Sequence, residues 1–121
     1  MMESIWTSTV TMPHFPPLWG DVRTDVLVIG GGMAGLLCAR ALQEAGINCA
    51  VAEAKTIAGG ITKNTTAKIT AQHGLIFWEL LNRFGAEQAK LYWQANQNAL
   101  EAFGTLCQQI DCDFTEQDHF I

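Results

Sequence analysis

The sequence predicts an α/β fold in which a strand–helix–strand (βαβ) unit is followed by helices. Three observations support this prediction. An apolar segment at residues 26–29 runs into a cluster of glycines, a helical pattern of small apolar residues covers 33–45, and a second short apolar segment covers 48–53. This order of elements is typical of two parallel strands joined by a right-handed crossover.

The first strand is predicted from four consecutive apolar residues, Val26, Leu27, Val28 and Ile29, which Gly30 closes. Uninterrupted runs rich in β-branched residues are typical of parallel strands that are buried on both faces. We therefore expect both faces of this strand to be covered.

The helix after the glycines is predicted over residues 33–45, with Gly46 in the position where a glycine commonly ends a helix. Its small apolar residues recur at spacings of three and four, which places them on one helical face. We expect that face, against the strands, to consist of Ala34, Cys38, Ala41, Leu42 and Ala45.

Outside the βαβ unit, residues 1–20 are predicted to form an extended leader. Pro13, Pro16 and Pro17 disfavour a helix or a central strand there. Its tryptophans, Trp6 and Trp19, are too apolar for a free tail and indicate a segment that lies across a surface. Residues 54–74 are predicted as a structured loop. Helices are predicted over 75–83 and 86–109, with a break at Phe84-Gly85.

Composition limits the function. A length of 121 residues favours one domain, and 49% hydrophobic with 16% charged residues is typical of a globular chain. A net charge of −5 without a Lys/Arg cluster argues against nucleic acid or an anionic membrane as partner. The 4 cysteines form no C-x-x-C pair, so we expect free thiols and no metal site. No targeting or membrane-spanning segment is evident, and we expect a cytoplasmic protein.

The glycine cluster at residues 30–35 is the motif that indicates a function. Residues 30–35, GGGMAG, fit the pattern G-x-G-x-x-G between a predicted strand and a predicted helix, and Glu53 ends the second strand. In that context the pattern is the dinucleotide-binding fingerprint. The predicted fold class is therefore α/β, with a partial Rossmann-like FAD/NAD(P)-binding βαβ unit followed by helices.

Each part of the fingerprint has a physical role. Gly30 permits the tight turn, Gly32 lets a diphosphate approach the backbone, and Gly35 lets the helix pack closely on the strands. Met33 and Ala34 open the helix, where unpaired N–H groups favour an anion. Glu53, followed by Ala54, would accept hydrogen bonds from the adenosine ribose, and its charge would repel the 2′-phosphate of NADP. The alternative is a glycine turn that binds nothing.

The motif alone serves FAD and NAD equally. The leader, residues 25–53 and the segment 59–74, GGITKNTTAKITAQHG, together resemble the N-terminal part of FAD-dependent oxidoreductases of the D-amino-acid-oxidase type. The resemblance is greatest to a bacterial subgroup that often carries a C-terminal Rieske iron–sulfur domain. It implies that FAD is the cofactor and that residues 21–121 are the N-terminal, incomplete part of a FAD-binding Rossmann-like domain.

The resemblance also implies that the loop after the second strand follows the diphosphate and ribityl chain of the flavin. The matching positions are Gly60, Thr65, Thr66, Ala67 and Lys68. Hydroxyl and backbone N–H donors suit ribityl and phosphate oxygens. The alternative for the threonines is that they stabilise turns through local hydrogen bonds.

These observations lead to one principal hypothesis and two alternatives. The principal hypothesis is a FAD-dependent oxidoreductase, of which this chain is the FAD-binding N-terminal fragment, inactive alone; no catalytic residue can be named. The first alternative is a non-catalytic nucleotide-binding or assembly module that forms a homo-oligomer through its open sheet and helices. The second is an NAD-dependent oxidoreductase. His119, near the end of the chain, has no neighbouring residues that would give it a catalytic role.

Overall fold

The computed structural model of the protein describes residues 4–118. In chain order its elements are α1 (Ile5–Thr9), β1 (Val26–Ile29), α2 (Met33–Glu44), β2 (Cys49–Ala52), a 3₁₀ turn (Thr62–Asn64) and α3 (Ile76–Gln108). The chain forms two compact units, of which the first ends at Thr66 and the second begins at Ala67. The predicted α/β class is confirmed. His119 lies outside the described residues.

The first unit is built on the predicted βαβ arrangement. Strands β1 and β2 pair in parallel, with Val26 opposite Cys49 and Ile29 opposite Ala52, and α2 connects them. The helix packs on one face of this pair, where the Cys49 thiol donates to the carbonyl oxygen of Ala39 at 3.5 Å. The predicted strand, helix and strand are confirmed, with slightly shorter bounds.

The opposite face of the sheet is open, so the expectation that β1 is covered on both faces is wrong for this chain. Leu27 is 55% exposed and Ile29 is 84% exposed. Side chains alternate between the two faces of a strand, and a single crossover helix can cover only one face. Within the first unit, α2 is the helix that packs on both strands.

The close packing expected at Gly35 is present, but the apolar face predicted for α2 is only partly covered, with Leu42 half-buried. Cys38, Ala34 and Ala41 are exposed, whereas Gly35 and Ala39 lie against the strands. Gly35 and Ala39 each stand one residue beyond Ala34 and Cys38, a rotation of about 100° around the helix axis. The glycine turn sets this rotation, because it brings the Gly30 carbonyl directly against the backbone of Gly35.

The leader is only partly extended. Its residues 10–19 have no regular structure, as the prolines predict, but Ile5–Thr9 form the short helix α1. The Ser4 hydroxyl caps this helix by accepting from the Trp6 backbone N–H at 3.3 Å. Because Ser is a preferred N-cap residue, the cap offsets the weak helix propensity of the residues that follow.

The second unit contains α3, and the predicted break is confirmed. Gly85 has φ 81° and ψ 173°, a conformation that interrupts the helix and that residues with a Cβ rarely adopt. The rings of Phe77 and Tyr92 therefore meet edge to face with centroids 5.7 Å apart. On a straight helix they would stand about 22 Å apart along the axis.

No helix among the described residues is long and apolar enough to cross a membrane.

Candidate functional site

The turn between β1 and α2 begins where the strand pairing ends. The Gly30 N–H donates to the Ala52 carbonyl at 2.8 Å, and Gly30 then takes a φ of +105° that turns the chain toward the helix. Gly32 is the N-cap of α2, and no side chain of its own caps the helix. The first N–H groups of α2 are thus presented at the end of the sheet, with the positive end of the helix dipole.

Position 35 accepts only glycine, because the Gly30 carbonyl oxygen lies too close to it for any side chain. A Cβ at this position would lie 2.0 Å from the Gly30 carbonyl oxygen and 3.4 Å from Cγ1 of Val28. The first distance is far below any van der Waals contact, so the turn and the helix could not both keep their places. The role predicted for the third glycine of the motif therefore has a direct geometric basis here.

Glu53 follows β2 and turns its carboxylate back to the glycine turn. Its Oε2 accepts from the Gly31 N–H at 2.8 Å and its Oε1 accepts from the Lys55 N–H at 2.9 Å. The hydrogen bond from Gly31, reinforced by that from Lys55, lowers the pKa of this carboxyl below its ordinary value. The exposed group is thus ionised at neutral pH, and each oxygen keeps a lone pair for a further donor.

Thr62, in the loop after β2, reaches the start of α2. Its hydroxyl oxygen accepts from the Met33 N–H at 3.1 Å. The same oxygen would lie 3.6 Å from a Cβ at Gly32. The loop therefore supplies the cap that Gly32 lacks, and Thr62 lies beside the backbone where the sequence predicts a diphosphate.

Comparison with known proteins gives the family. The model of the family described as FAD dependent oxidoreductase matches residues 25–121, from β1 to the end of the chain. The chain belongs to the family of FAD-dependent oxidoreductases. The predicted resemblance is therefore confirmed.

Two curated proteins are similar to this chain. A Bacillus subtilis protein named as a Rieske 2Fe-2S iron-sulfur protein, YhfW, is 40% identical over 121 residues, which cover 98% of this chain and 24% of the relative. The flavin-containing amine oxidase B of Cavia porcellus is 45% identical over 40 residues, which cover 33% of this chain and 8% of the relative. The chain thus spans about a quarter of the length of the Bacillus relative. No solved structure matches.

The residues of the predicted fingerprint lie together in the first unit. Gly30, Gly32 and Met33 form the turn and the start of α2, and Glu53 is bonded to that turn through Gly31. Further predicted site residues of the first unit are exposed and close to these elements in sequence: Ala34, Ala54, Gly60 and Thr66.

The loop residues that the resemblance implies divide between the two units. Thr65 is half-buried and its carbonyl accepts a hydrogen bond from the Trp6 indole, whereas Ala67 and Lys68 are exposed and begin the second unit. Ala67 has φ 59°, in the left-handed region. Such a conformation costs about 1–2 kcal/mol in a residue with a Cβ, and positions of this kind are frequent at ligand sites. A ligand role for these residues remains a prediction.

Two residues of this site were missed by reasoning from the sequence. Thr62 caps α2, and Ala58 donates its N–H to the Gly31 carbonyl at 2.8 Å. Ala58 could not be recognised from the sequence, because only its backbone N–H takes part in the hydrogen bond. Thr62 could be recognised only weakly, as a hydroxyl residue close after the Gly59-Gly60 pair.

Thr62→Val is expected to lower the free energy of unfolding by about 1 kcal/mol, the usual cost of a lost N-cap acceptor. The valine keeps the shape of threonine but leaves the Met33 N–H without its oxygen. Urea unfolding followed by circular dichroism measures the change. Thr105→Val is the matched control, since the Thr105 hydroxyl bonds only a carbonyl of its own exposed helix. Equal destabilisation by both variants would contradict the capping role.

The cysteines offer no comparable site. All four are free, and among residues 4–118 no three or more His, Cys, Asp and Glu residues cluster in a way that could hold a metal ion. Cys112 lies four residues beyond the end of α3, and its thiol is 3.6 Å from the Cys107 carbonyl oxygen. Partial desolvation and the neighbouring Cys107 raise the pKa of Cys112, which disfavours the reactive thiolate.

Proposed function

We propose that this chain binds FAD, with the diphosphate at the start of α2 and the adenosine ribose at Glu53, and so contributes cofactor binding to a FAD-dependent oxidoreductase. The observation that carries the proposal is the pair of hydrogen bonds from Gly31 and Lys55 to the Glu53 carboxylate. The bond from Gly31 brings the acidic end of β2 beside the glycine turn, and in a dinucleotide site these two elements hold the ribose and the diphosphate.

The diphosphate subsite is supported by the backbone at the turn. A Cβ at Gly32 would meet the Thr62 hydroxyl oxygen at an ordinary contact distance of 3.6 Å, so the neighbour at this point of the turn is a polar group. The Met33 N–H is bonded to the Thr62 hydroxyl, and the next two N–H groups of the first turn, those of Ala34 and Gly35, have no acceptor within the helix. These groups and the helix dipole bind a diphosphate without a basic side chain, which agrees with the low Lys and Arg content of the chain.

The ribose subsite is supported by the charge of Glu53. Its ionised carboxylate has acceptor capacity left for the two ribose hydroxyls after the bonds to Gly31 and Lys55. A 2′-phosphate on that ribose would face a like charge. The proposal therefore favours FAD and NAD over NADP.

The flavin side of the cofactor is assigned to the loop that contains Gly60, Thr65, Thr66, Ala67 and Lys68. Threonine hydroxyls and backbone N–H groups there would hold ribityl and phosphate oxygens. When bound, FAD supplies a ring system that accepts a hydride from a substrate C–H bond next to an amine or hydroxyl. This chain's own residues bind and orient the cofactor, and no catalytic residue is assigned to them.

Equilibrium titration tests the proposal. The 121-residue chain is titrated into FAD while the quenching of flavin fluorescence is followed, and parallel titrations with NAD and NADP use the tryptophan emission of the chain. Circular dichroism confirms that the sample contains folded helix. We expect saturable binding of FAD that is tighter than that of NAD, and NADP weakest of the three.

Two results would contradict the proposal and point to different alternatives. Tighter binding of NAD than of FAD would favour an NAD-dependent oxidoreductase. A folded chain that binds none of the dinucleotides would favour a non-catalytic module that associates with itself. Light scattering on the same sample gives the oligomeric state and decides whether such association occurs.

A further inference from the structure

Helix α1 and its cap precede the residues that match the family. The family model begins at residue 25, whereas α1 covers Ile5–Thr9. Despite its distance in sequence, α1 packs against the 3₁₀ turn Thr62–Asn64. The contact joins the leader to the loop that carries the predicted flavin-side residues, so the leader is more than a covering segment.

Two side chains of the leader hold backbone carbonyls of that loop. The Ser4 hydroxyl donates to the Lys63 carbonyl, and the Trp6 indole N–H donates to the Thr65 carbonyl at 3.0 Å. Both side chains are half-buried. The Ser4 oxygen also accepts from the Trp6 N–H, so the cap of α1 and its attachment to the loop are one network.

The same loop is bonded on its other side to the glycine turn. The Thr62 hydroxyl accepts from Met33 at the start of α2, and the Lys63 N–H donates to the Ala58 carbonyl at 3.1 Å. Ala58 in turn donates to the Gly31 carbonyl. Residues 62–65 are therefore held between α1 and the start of α2, and loss of either attachment frees one side.

We propose that α1 positions the loop at residues 62–65 for the cofactor, with Trp6 as the principal positioning residue. The proposal rests on the proposed function, since it assigns the loop to FAD. Its physical basis is preorganisation. A loop that is already held in its bound conformation loses less conformational freedom when the ligand arrives, and the affinity is higher by that difference.

The test replaces Trp6 by Phe, which keeps an aromatic ring against the loop and removes the indole donor. Trp19→Phe is the matched control, because Trp19 belongs to the same leader and is 87% exposed. Two quantities are measured on the 121-residue chain: the affinity for FAD, and the hydrogen-exchange rates of the backbone amides without FAD. The second needs no cofactor.

We expect Trp6→Phe to weaken FAD binding about five-fold, as the loss of one hydrogen bond to the loop implies. Amides 62–66 should exchange faster by a similar factor, while the amides of β1 and β2 keep their rates. Trp19→Phe should change none of these quantities. A purely structural role of Trp6 would instead accelerate exchange in β1 and β2 as well, and that result would overturn the proposal.

The remaining outcomes are also decisive. Unchanged exchange and unchanged affinity in Trp6→Phe would overturn the positioning role. A wild-type chain that does not bind FAD would overturn the proposed function, and the exchange at 62–66 would still decide whether α1 holds the loop. If Trp6→Phe loses its helical circular dichroism, Ser4→Ala replaces it, because it leaves the indole in place and removes both the cap of α1 and the hydrogen bond to Lys63.

Discussion

Gly35→Ala is expected to abolish FAD binding and to lower the free energy of unfolding of the first unit by about 3 kcal/mol, the upper range for overpacked sites. The added methyl group would stand 2.0 Å from the Gly30 carbonyl oxygen, which is backbone and cannot rotate away. Helix α2 must therefore move off the strands, and the turn that presents its N–H groups is displaced with it.

The matched control for this variant is Gly104→Ala. Gly104 lies within α3 and a Cβ there meets nothing within 4 Å, so alanine should stabilise its helix by about 0.5–1 kcal/mol. The same substitution in two helices is thus expected to act with opposite signs. Urea unfolding and FAD titration measure both effects. A Gly35→Ala chain with wild-type stability and affinity would show that the close approach is absent in solution.

Glu53→Gln is expected to weaken FAD binding about ten-fold or more, because hydrogen bonds to a charged acceptor are stronger than those to a neutral one. The amide also cannot accept from both Gly31 and Lys55, since one of its two groups is a donor. Glu44→Gln is the matched control, because Glu44 forms only an exposed ion pair with Arg40. Equal affinity of the two variants would contradict the ribose role of Glu53.

Because Glu53 titrates, we expect both the stability of the chain and its affinity for FAD to depend on pH. The bonds from Gly31 and Lys55 lower the pKa of Glu53 in the folded chain from its ordinary 4.5. Its contribution to stability is thus complete above about pH 4.5 and is lost as the pH falls through the lower folded-state value. We expect FAD affinity to be constant from neutral pH down to that range and then to fall. In Glu53→Gln the component of this fall that belongs to residue 53 should be missing.

The elements that follow from local patterns were predictable from the sequence. Strand β1 follows from a run of apolar residues, and helix α2 follows from apolar residues at helical spacing. The break in α3 follows from Gly85, which adopts a backbone conformation that interrupts a helix. Helix α1 could not be predicted in this way. It depends on the Ser4 cap and on hydrogen bonds to carbonyls 59 residues away, and such tertiary contacts outweigh intrinsic propensity.

Some residues of the candidate site were likewise predictable from the sequence, and others were not. The glycines and Glu53 belong to a pattern whose spacing encodes the geometry, and the structure brings them together. Thr62 acts from a loop, where spacing carries no geometric information. The exposed Leu27 and Ile29 illustrate the converse, since an apolar run indicates that a surface requires cover and does not identify the element that covers it.

The measurement that tests the central claim most directly is a map of backbone amide chemical shifts during titration of the ¹⁵N-labelled chain with FAD. We predict the largest changes at the amides from Gly31 to Gly35 and around Glu53, because the diphosphate and the ribose are assigned to those groups. Amides in the middle of α3, such as that of Gly104, should keep their shifts. Saturating changes confined to other parts of the chain, with the turn from Gly30 to Gly35 unaffected, would contradict the account.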